Sequence, residues 1–314
     1  MKVIIPGGSG QIGQMLRRYF ERKGHTVIIL SRSGEKTGPK LHWDGQTLGP
    51  WAKEVDGADV VINLAGRTVN CRYTEENLKQ MMDSRVDSTR VVGQAIAQAS
   101  KPPRVWLQMS TATIYAHTFG PAHTEANGVL GGNEQDVPAY WKRSIDVATS
   151  WEEALNSATT PHTRKVALRA AMVMSVDNDG VFDVLAGLTK WGLGGSIAGG
   201  NQYMSWIHAA DFLAAIQFLI DREDLSGPFN LSSPSPLPQG EFQAQLRSAM
   251  GVWLGFPATS WMAEIGAIFM RTDTELVLKS RRVVPGRLLD SGFTFQFPDW
   301  SSAAEDLVTR RSCS

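Results

Sequence analysis

The chain is 314 residues long, which suggests about two domains, or one α/β domain with an appended lobe. Hydrophobic residues make up 42% and charged residues 20%, ordinary for a soluble globular protein with a sizeable core. Lys+Arg and Asp+Glu cancel at 31 each, so no basic field steers a polyanion and nucleic acid is not an expected partner.

The first element predicted is a strand, Val3–Pro6, with no leader-type apolar segment before it. A helix over Gln11–Lys23 follows, then strands at Thr26–Leu30 and Val60–Leu64 and a long helix within Glu75–Ala99. Strands at Val105–Met109 and Val166–Leu168 flank a helix at Tyr140–Ser157. This alternation is the signature of a Rossmann-type α/β fold, a doubly wound parallel sheet whose C-terminal strand ends share one ligand-collecting edge. Past residue 175 the pattern loosens. Gly192, Gly194, Gly195, Gly199 and Gly200 mark loops, a helix is predicted at Ala210–Ile220, and a short strand at Phe229–Leu231. Ser232–Pro238 reads as a turn into a helix at Gly240–Met250. The sequence therefore divides into a dinucleotide-binding unit over 1–175, to which later segments can return, and a smaller lobe over 176–314.

Apolar runs such as Phe212 to Ile220 are too short to cross a bilayer, so neither a membrane nor a location outside the cytoplasm is expected. Cys71 and Cys313 are the only cysteines and lack partners at ligand spacing, so no disulfide framework or metal site is predicted. Ten tryptophans, Trp206, Trp253 and Trp261 among them, are assigned to packing.

Gly7-Gly8-Ser9-Gly10-Gln11-Ile12-Gly13 joins the first strand directly to the first helix. In that context Gly7 allows the sharp turn, Gly10 lets backbone approach a pyrophosphate, and Gly13 lets the helix pack on the sheet. The helix N-terminus adds unpaired N–H groups and the positive end of its dipole. Ile12, Leu16 and Phe20 share a sheet-facing stripe, while Arg17, Arg18, Arg22 and Lys23 face water. The second strand ends in Leu30-Ser31-Arg32-Ser33, with the first acid only at Glu35. A carboxylate there would hold the ribose 2′-OH of NAD(H); a guanidinium between two hydroxyls suits the 2′-phosphate of NADP(H). The alternative for Arg32 is a solvated turn residue.

With Gly7, Gly10 and Gly13 in place, the sequence resembles the short-chain dehydrogenase/reductase superfamily. Asn63-Leu64-Ala65-Gly66 and Ser110-Thr111-Ala112-Thr113-Ile114-Tyr115, each after a later strand, add to the likeness. Leu168-Arg169 and Ile207-His208-Ala209-Ala210-Asp211 resemble its extended branch. Ser84-Arg85-Val86-Asp87, Leu193-Gly194-Gly195, Met204 to His208, Ser226 to Asn230, Arg282 to Pro285 and Gly292 to Phe295 narrow this to an atypical, nucleoside-diphosphate-sugar-epimerase-like family. Its members carry an extra C-terminal domain and are often described as cell-division-inhibitor-like.

The resemblance implies NADP(H) contacts from Gly7, Gly10, Gln11, Ile12, Gly13, Ser31, Arg32, Ser33, Asn63, Leu64, Ala65, Gly66, Arg85 and Ser110, and a small-molecule substrate. Thr111 and Tyr115 either orient a substrate hydroxyl or only shape the cofactor pocket, and Arg85 either reaches the cofactor or is a surface arginine. His208 and Asp211 invite an acid–base reading but are read as packing the lobe. Three positions depart from the pattern. Pro6 replaces a small or hydroxylated residue, and Gln11 an aromatic or apolar one. At the positions of the superfamily's Tyr-x-x-x-Lys dyad, which exchanges a proton during hydride transfer, stand Ser144 and Ala148. Two functions remain open on this evidence: an NADP(H)-dependent oxidoreductase or epimerase, and a catalytically silent NADP(H) sensor or partner-binding module.

Overall fold

The computed structural model describes residues 1–33, 38–69, 71–135, 137–178, 180–259 and 275–312. Glu35, Trp261 and Cys313 lie outside the described residues.

Strands β1 (Lys2–Pro6), β2 (Thr26–Ser31), β3 (Lys40–His42), β4 (Val60–Asn63), β5 (Val105–Thr111) and β6 (Arg164–Ala170) enter one sheet. Next in the chain come β7 (Met172–Met174), β8 (Tyr203–Met204) and β9 (Trp206–His208), none of them in that sheet. Its seventh strand, β10 (Gly227–Leu231), lies beyond residue 175. The order is β10-β6-β5-β4-β1-β2-β3, and every pair is parallel. The direction of winding reverses between β1 and β4, and in such sheets the crevice outside those strand ends is where ligands bind.

Side chains alternate across each strand. Val3 and Ile5 join one core and Ile4 the other. Helix α1 (Gln11–Arg22) buries Leu16 and Phe20 in the first core, as their spacing predicts. Arg18, Arg22 and Lys23 are exposed and Arg17 half-buried. The second core takes Val91, Val92 and Ile96 from α2 (Glu75–Gln98) and Leu155 from α3 (Lys142–Asn156). Thr74 caps α2 by accepting the Asn77 N–H, with Glu75 and Glu76 in the first turn where carboxylates favour the dipole.

The lobe has its own core. It combines β7, α4 (Val181–Lys190), β8, β9 and α6 (Gln239–Ala249) with the C-terminal helix Trp300–Ser312. Between β9 and β10 runs α5 (Ala209–Asp221), whose Phe212, Ile216 and Leu219 return to the first core under the main sheet. Strand β7 pairs with β9 in parallel, and β8 pairs with β11 (Leu237–Pro238) antiparallel, so the expected turn at 232–238 ends in a two-residue strand. Trp206 is fully buried against Trp300, at 5.0 Å between rings. Trp253, expected to pack, is instead 91% exposed. No helix among the described residues is long and apolar enough to cross a membrane.

Candidate functional site

The glycine loop is held by contacts that leave one side open. Gly7, at φ +73°, adopts a backbone disfavoured for other residues, and a Cβ on it would come 2.6 Å from Ala65 Cα. The loops after β1 and β4 therefore touch backbone to backbone. Pro6 lacks a donor, but its carbonyl accepts the Leu64 N–H at 2.9 Å, so the strand end is still tied to the neighbouring loop. Gly13 packs on Gly8, with 2.3 Å between a built Cβ and Gly8 Cα. A Cβ on Gly10, by contrast, would meet nothing within 4 Å. Gly10 is also the N-cap of α1 and offers no side-chain hydrogen bond, so the helix start keeps N–H groups for an anion.

Gln11 does not aim its side chain at that anion position. Its Nε2 donates to Ser175 Oγ at 3.0 Å and to the Asp177 carbonyl at 3.3 Å, and Arg18 pairs with Asp177 at 2.6 Å. The polar residue replaces an apolar plug with a bridge to the loop after β7. Ile12 is half-buried against the first core. At the end of β2, Ser31 is buried while Arg32 and Ser33 are exposed. Ser31 Oγ accepts the Ser33 N–H at 3.3 Å, and the Arg32 carbonyl faces His42 Nδ1 at 2.9 Å. This pins the turn and leaves the Arg32 guanidinium in solvent.

Asn63 is fully buried: its Nδ2 donates to Gln108 Oε1 and its Oδ1 accepts the Ala65 N–H. The side chain shapes the loop from within. Leu64 is half-buried, Ala65 buried and Gly66 exposed. Under Gly66 lies Arg85, whose Cζ would be 3.1 Å from a Cβ at position 66. Its guanidinium stacks 4.8 Å over the Trp151 ring and donates to the Met81 carbonyl. Burial lowers its pKa to about 10, and no carboxylate pairs with it among the described residues. Arg85 is thus a buried cation beneath the Gly66 loop, with no carboxylate partner among the described residues.

Two further site candidates lie at and just after the end of β5. Ser110, 3% exposed, donates to Glu152 Oε1 at 2.6 Å. Glu152 also accepts both prongs of Arg169, at 2.8 and 2.7 Å. Burial opposes the Arg169 charge, but the Glu152 hydrogen bonds and charge outweigh it and hold the guanidinium firmly protonated. Arg169 donates in turn to the Tyr115 oxygen at 2.8 Å, and Tyr115 donates to Asn230 Oδ1 at 2.9 Å. Tyr115 is 2% exposed, and burial raises its pKa against the pull of Arg169. Both hydroxyls serve an interior network joining β5, β6, α3 and β10. Thr111 is different. It is half-buried at the strand end, where its Oγ1 accepts the Thr113 N–H and keeps its own hydrogen to donate.

Ser144 and Ala148 lie along α3, with Ala148 buried against Ile114 and Val283. Ser144 donates to Glu275 Oε1 at 2.5 Å, a contact from the far end of the chain that the sequence reading did not anticipate. His208 and Asp211 hold the lobe. His208 Nδ1 caps α5 by accepting the Ala210 N–H, and its Nε2 lies 3.2 Å from Asp306 of the C-terminal helix. The Asp211 carboxylate accepts the N–H groups of Gln296 and Phe297, while burial raises its pKa.

Comparison with known proteins agrees with this architecture. Residues 3–144 match the NAD dependent epimerase/dehydratase family, and residues 259–307 match a domain of unknown function, DUF1731. The N-terminal part of the chain is thus similar to this epimerase family. A relative in Staphylococcus aureus (strain N315), epimerase family protein SA0724, is 29% identical over 308 residues, spanning 97% of this chain and 98% of its own. The crystal structure of human epimerase family protein SDR39U1 with NADPH superposes at a TM-score of 0.86 and 26% identity, covering 98% of this chain and 99% of that one. UDP-N-acetylglucosamine 4-epimerase from Bacillus cereus shares the fold at a TM-score of 0.75 and 17% identity, with 99% of each chain covered.

Proposed function

We propose that this protein binds NADP(H) across the β1–β4 crevice and acts, as an oxidoreductase or epimerase, on a small polar substrate such as a sugar nucleotide or another carbonyl compound. One observation carries the reading: the start of α1 is uncapped with open space at Gly10, and its loop packs at Gly7 on the β4 loop, under whose Gly66 lies Arg85, a cation with no carboxylate partner among the described residues. A buried cation without a carboxylate is poorly placed unless an anion joins it. The residues fit a dinucleotide. Gly10 to Gly13 would take the pyrophosphate through backbone N–H groups, the backbone of Leu64 to Gly66 would line the crevice with Arg85 beneath it, and Ser31, Arg32 and Ser33 would take the 2′-phosphate. The NADPH in the human relative's crystal structure supports the choice of NADP(H).

Bound there, the nicotinamide would supply hydride transfer. Thr111 would orient a substrate hydroxyl by donating its remaining hydrogen, and the lobe would exclude water from the strand edge. The reading does not rely on a Tyr-x-x-x-Lys dyad. Equilibrium titration with NADPH and NADH tests the cofactor, and turnover of NADPH with a panel of carbonyl compounds tests the chemistry. Binding of neither dinucleotide would end the proposal.

Ser144 and Ala148 favour a second reading, a silent NADP(H) sensor. It requires NADPH and NADP+ to bind with different affinities, since only differential binding shifts a conformational equilibrium. Equal affinities would exclude it.

A further inference from the structure

Three separate segments meet behind Thr111. Glu275 and Lys279, one helical turn apart in the C-terminal region, have side chains 0% and 1% exposed, with Glu275 Oε1 and Lys279 Nζ 3.7 Å apart. Lys279 Nζ donates to the Thr113 carbonyl at 3.1 Å, and Arg281 Nε donates to Thr113 Oγ1 at 3.2 Å. The Thr113 N–H is the one that Thr111 Oγ1 accepts. From α3, half-buried Ser144 places its hydroxyl 2.5 Å from Glu275 Oε1, with the Trp141 carbonyl a longer alternative acceptor at 3.0 Å. A carboxylate and an ammonium from the C-terminal region therefore occupy the surroundings of the position that the superfamily resemblance gives to the proton-exchanging tyrosine.

We propose that Ser144, Glu275 and Lys279 form a proton relay serving a substrate hydroxyl held beside Thr111. The inference rests on the oxidoreductase reading above. In the oxidising direction the substrate carbon gives its hydride to a nicotinamide, and its C–O bond becomes C=O. The hydroxyl proton passes to Ser144 Oγ while the Ser144 proton passes to the Glu275 carboxylate. Reduction runs the same transfers backwards, returning the proton through Ser144 to the forming alkoxide. Ser144 is the residue that touches substrate; Glu275 and Lys279 act through it. The Lys279 ammonium, 3.7 Å from Glu275 Oε1, favours the carboxylate form that accepts the proton. Burial pushes the Lys279 ammonium down to about 8, with Arg281 adding to the fall and Glu275 and Glu134 opposing it. His117, from the loop before α3, also faces this group, and burial together with the Lys279 charge lowers its pKa.

The test uses the full chain labelled with [13Cε]lysine, with K279R identifying the Lys279 resonance. Its titration midpoint is expected near 8, and lower still in E275Q, which lacks the charge that favours the ammonium. In parallel, S144A and E275Q are expected to keep wild-type NADPH affinity and to lower kcat about 100-fold, with KM within about threefold, the scale of general acid–base assistance. K279R is expected to recover more activity than K279M. A Lys279 midpoint unchanged in E275Q would deny the charge pairing on which the relay depends and overturns it. So does wild-type kcat in the mild variant S144A, whatever the stability of E275Q. Absence of turnover in the wild-type protein overturns the oxidoreductase reading and the relay together, whereas wild-type turnover with unaffected variants overturns the relay alone.

Discussion

Replacing Gly10 with serine should raise the stability of the ligand-free protein and weaken its hold on NADPH. Gly10 caps α1 at φ −78° and ψ 176°, an extended conformation open to any residue. A Cβ added there meets nothing within 4 Å, so the native contacts tolerate the side chain. Serine caps better than glycine by a few tenths of a kcal/mol, and removing a glycine from the unfolded chain adds about 0.4–1 kcal/mol. The sum, about 1 kcal/mol, corresponds to a rise of ~2–3 °C in Tm for a chain of this size. The new hydroxyl accepts the N–H groups that a pyrophosphate would use and takes up its space, so NADPH affinity should fall about tenfold or more, ~1.4 kcal/mol. Thermal melts without ligand and a calorimetric NADPH titration read the two effects separately. A lower Tm, or an unchanged affinity, would refute the assignment of this open space to a phosphate. G13A is the contrasting case: its Cβ would lie 2.3 Å from Gly8 backbone atoms, so stability and binding should fall together.

Arg32→Asp should weaken NADPH by about 10–100-fold, the worth of charge-assisted hydrogen bonds, and shift preference towards NADH; an unchanged NADPH/NADH ratio in a binding titration would place the 2′-phosphate elsewhere. Glu152→Gln leaves Arg169 without its charge partner in a site where both side chains are about one-tenth exposed, and should cost about 3–5 kcal/mol in urea unfolding. A loss below about 1 kcal/mol would mean that the network relaxes around the change. His208 is pushed down to about 4 by burial, against the opposing pull of Asp306. Its folded value lies below the ~6.5 of an unfolded histidine, so its contribution to stability is complete above that pH and is lost as pH falls towards 4. H208N keeps a capping side chain and should show a flatter Tm between pH 7 and 5; a slope equal to wild type would assign the acid sensitivity to other groups.

The glycine loop and the central strands were legible because their signals are local. Val3 to Pro6 and Thr26 to Leu30 are short apolar runs, and Leu16 and Phe20 mark a helical face within one turn. Strands β7, β8 and β9 have two or three residues each and no period to detect. Helix α4 escaped notice because the glycines after it read as continuous loop. At the site, residue type was visible but direction was not. Ser110, Tyr115 and Asn63 sit in family-like motifs, yet their side chains turn to partners 42, 115 and 45 residues away. Glu275 and Lys279 have the spacing of an exposed helical ion pair, and only the tertiary fold brings them to Ser144 and Thr113.

The contact between Gly7 and Ala65 bears on how this protein could be re-engineered. A graft that exchanges residues 1–33 for another cofactor cassette inherits a neighbour it did not evolve with, because any side chain at position 7 drives into the Ala65 backbone. Residues 63–66, with the Asn63 bracket beneath them, should therefore travel with the glycine loop as one transplantable unit, although 56 residues separate Gly7 from Asn63 in the sequence.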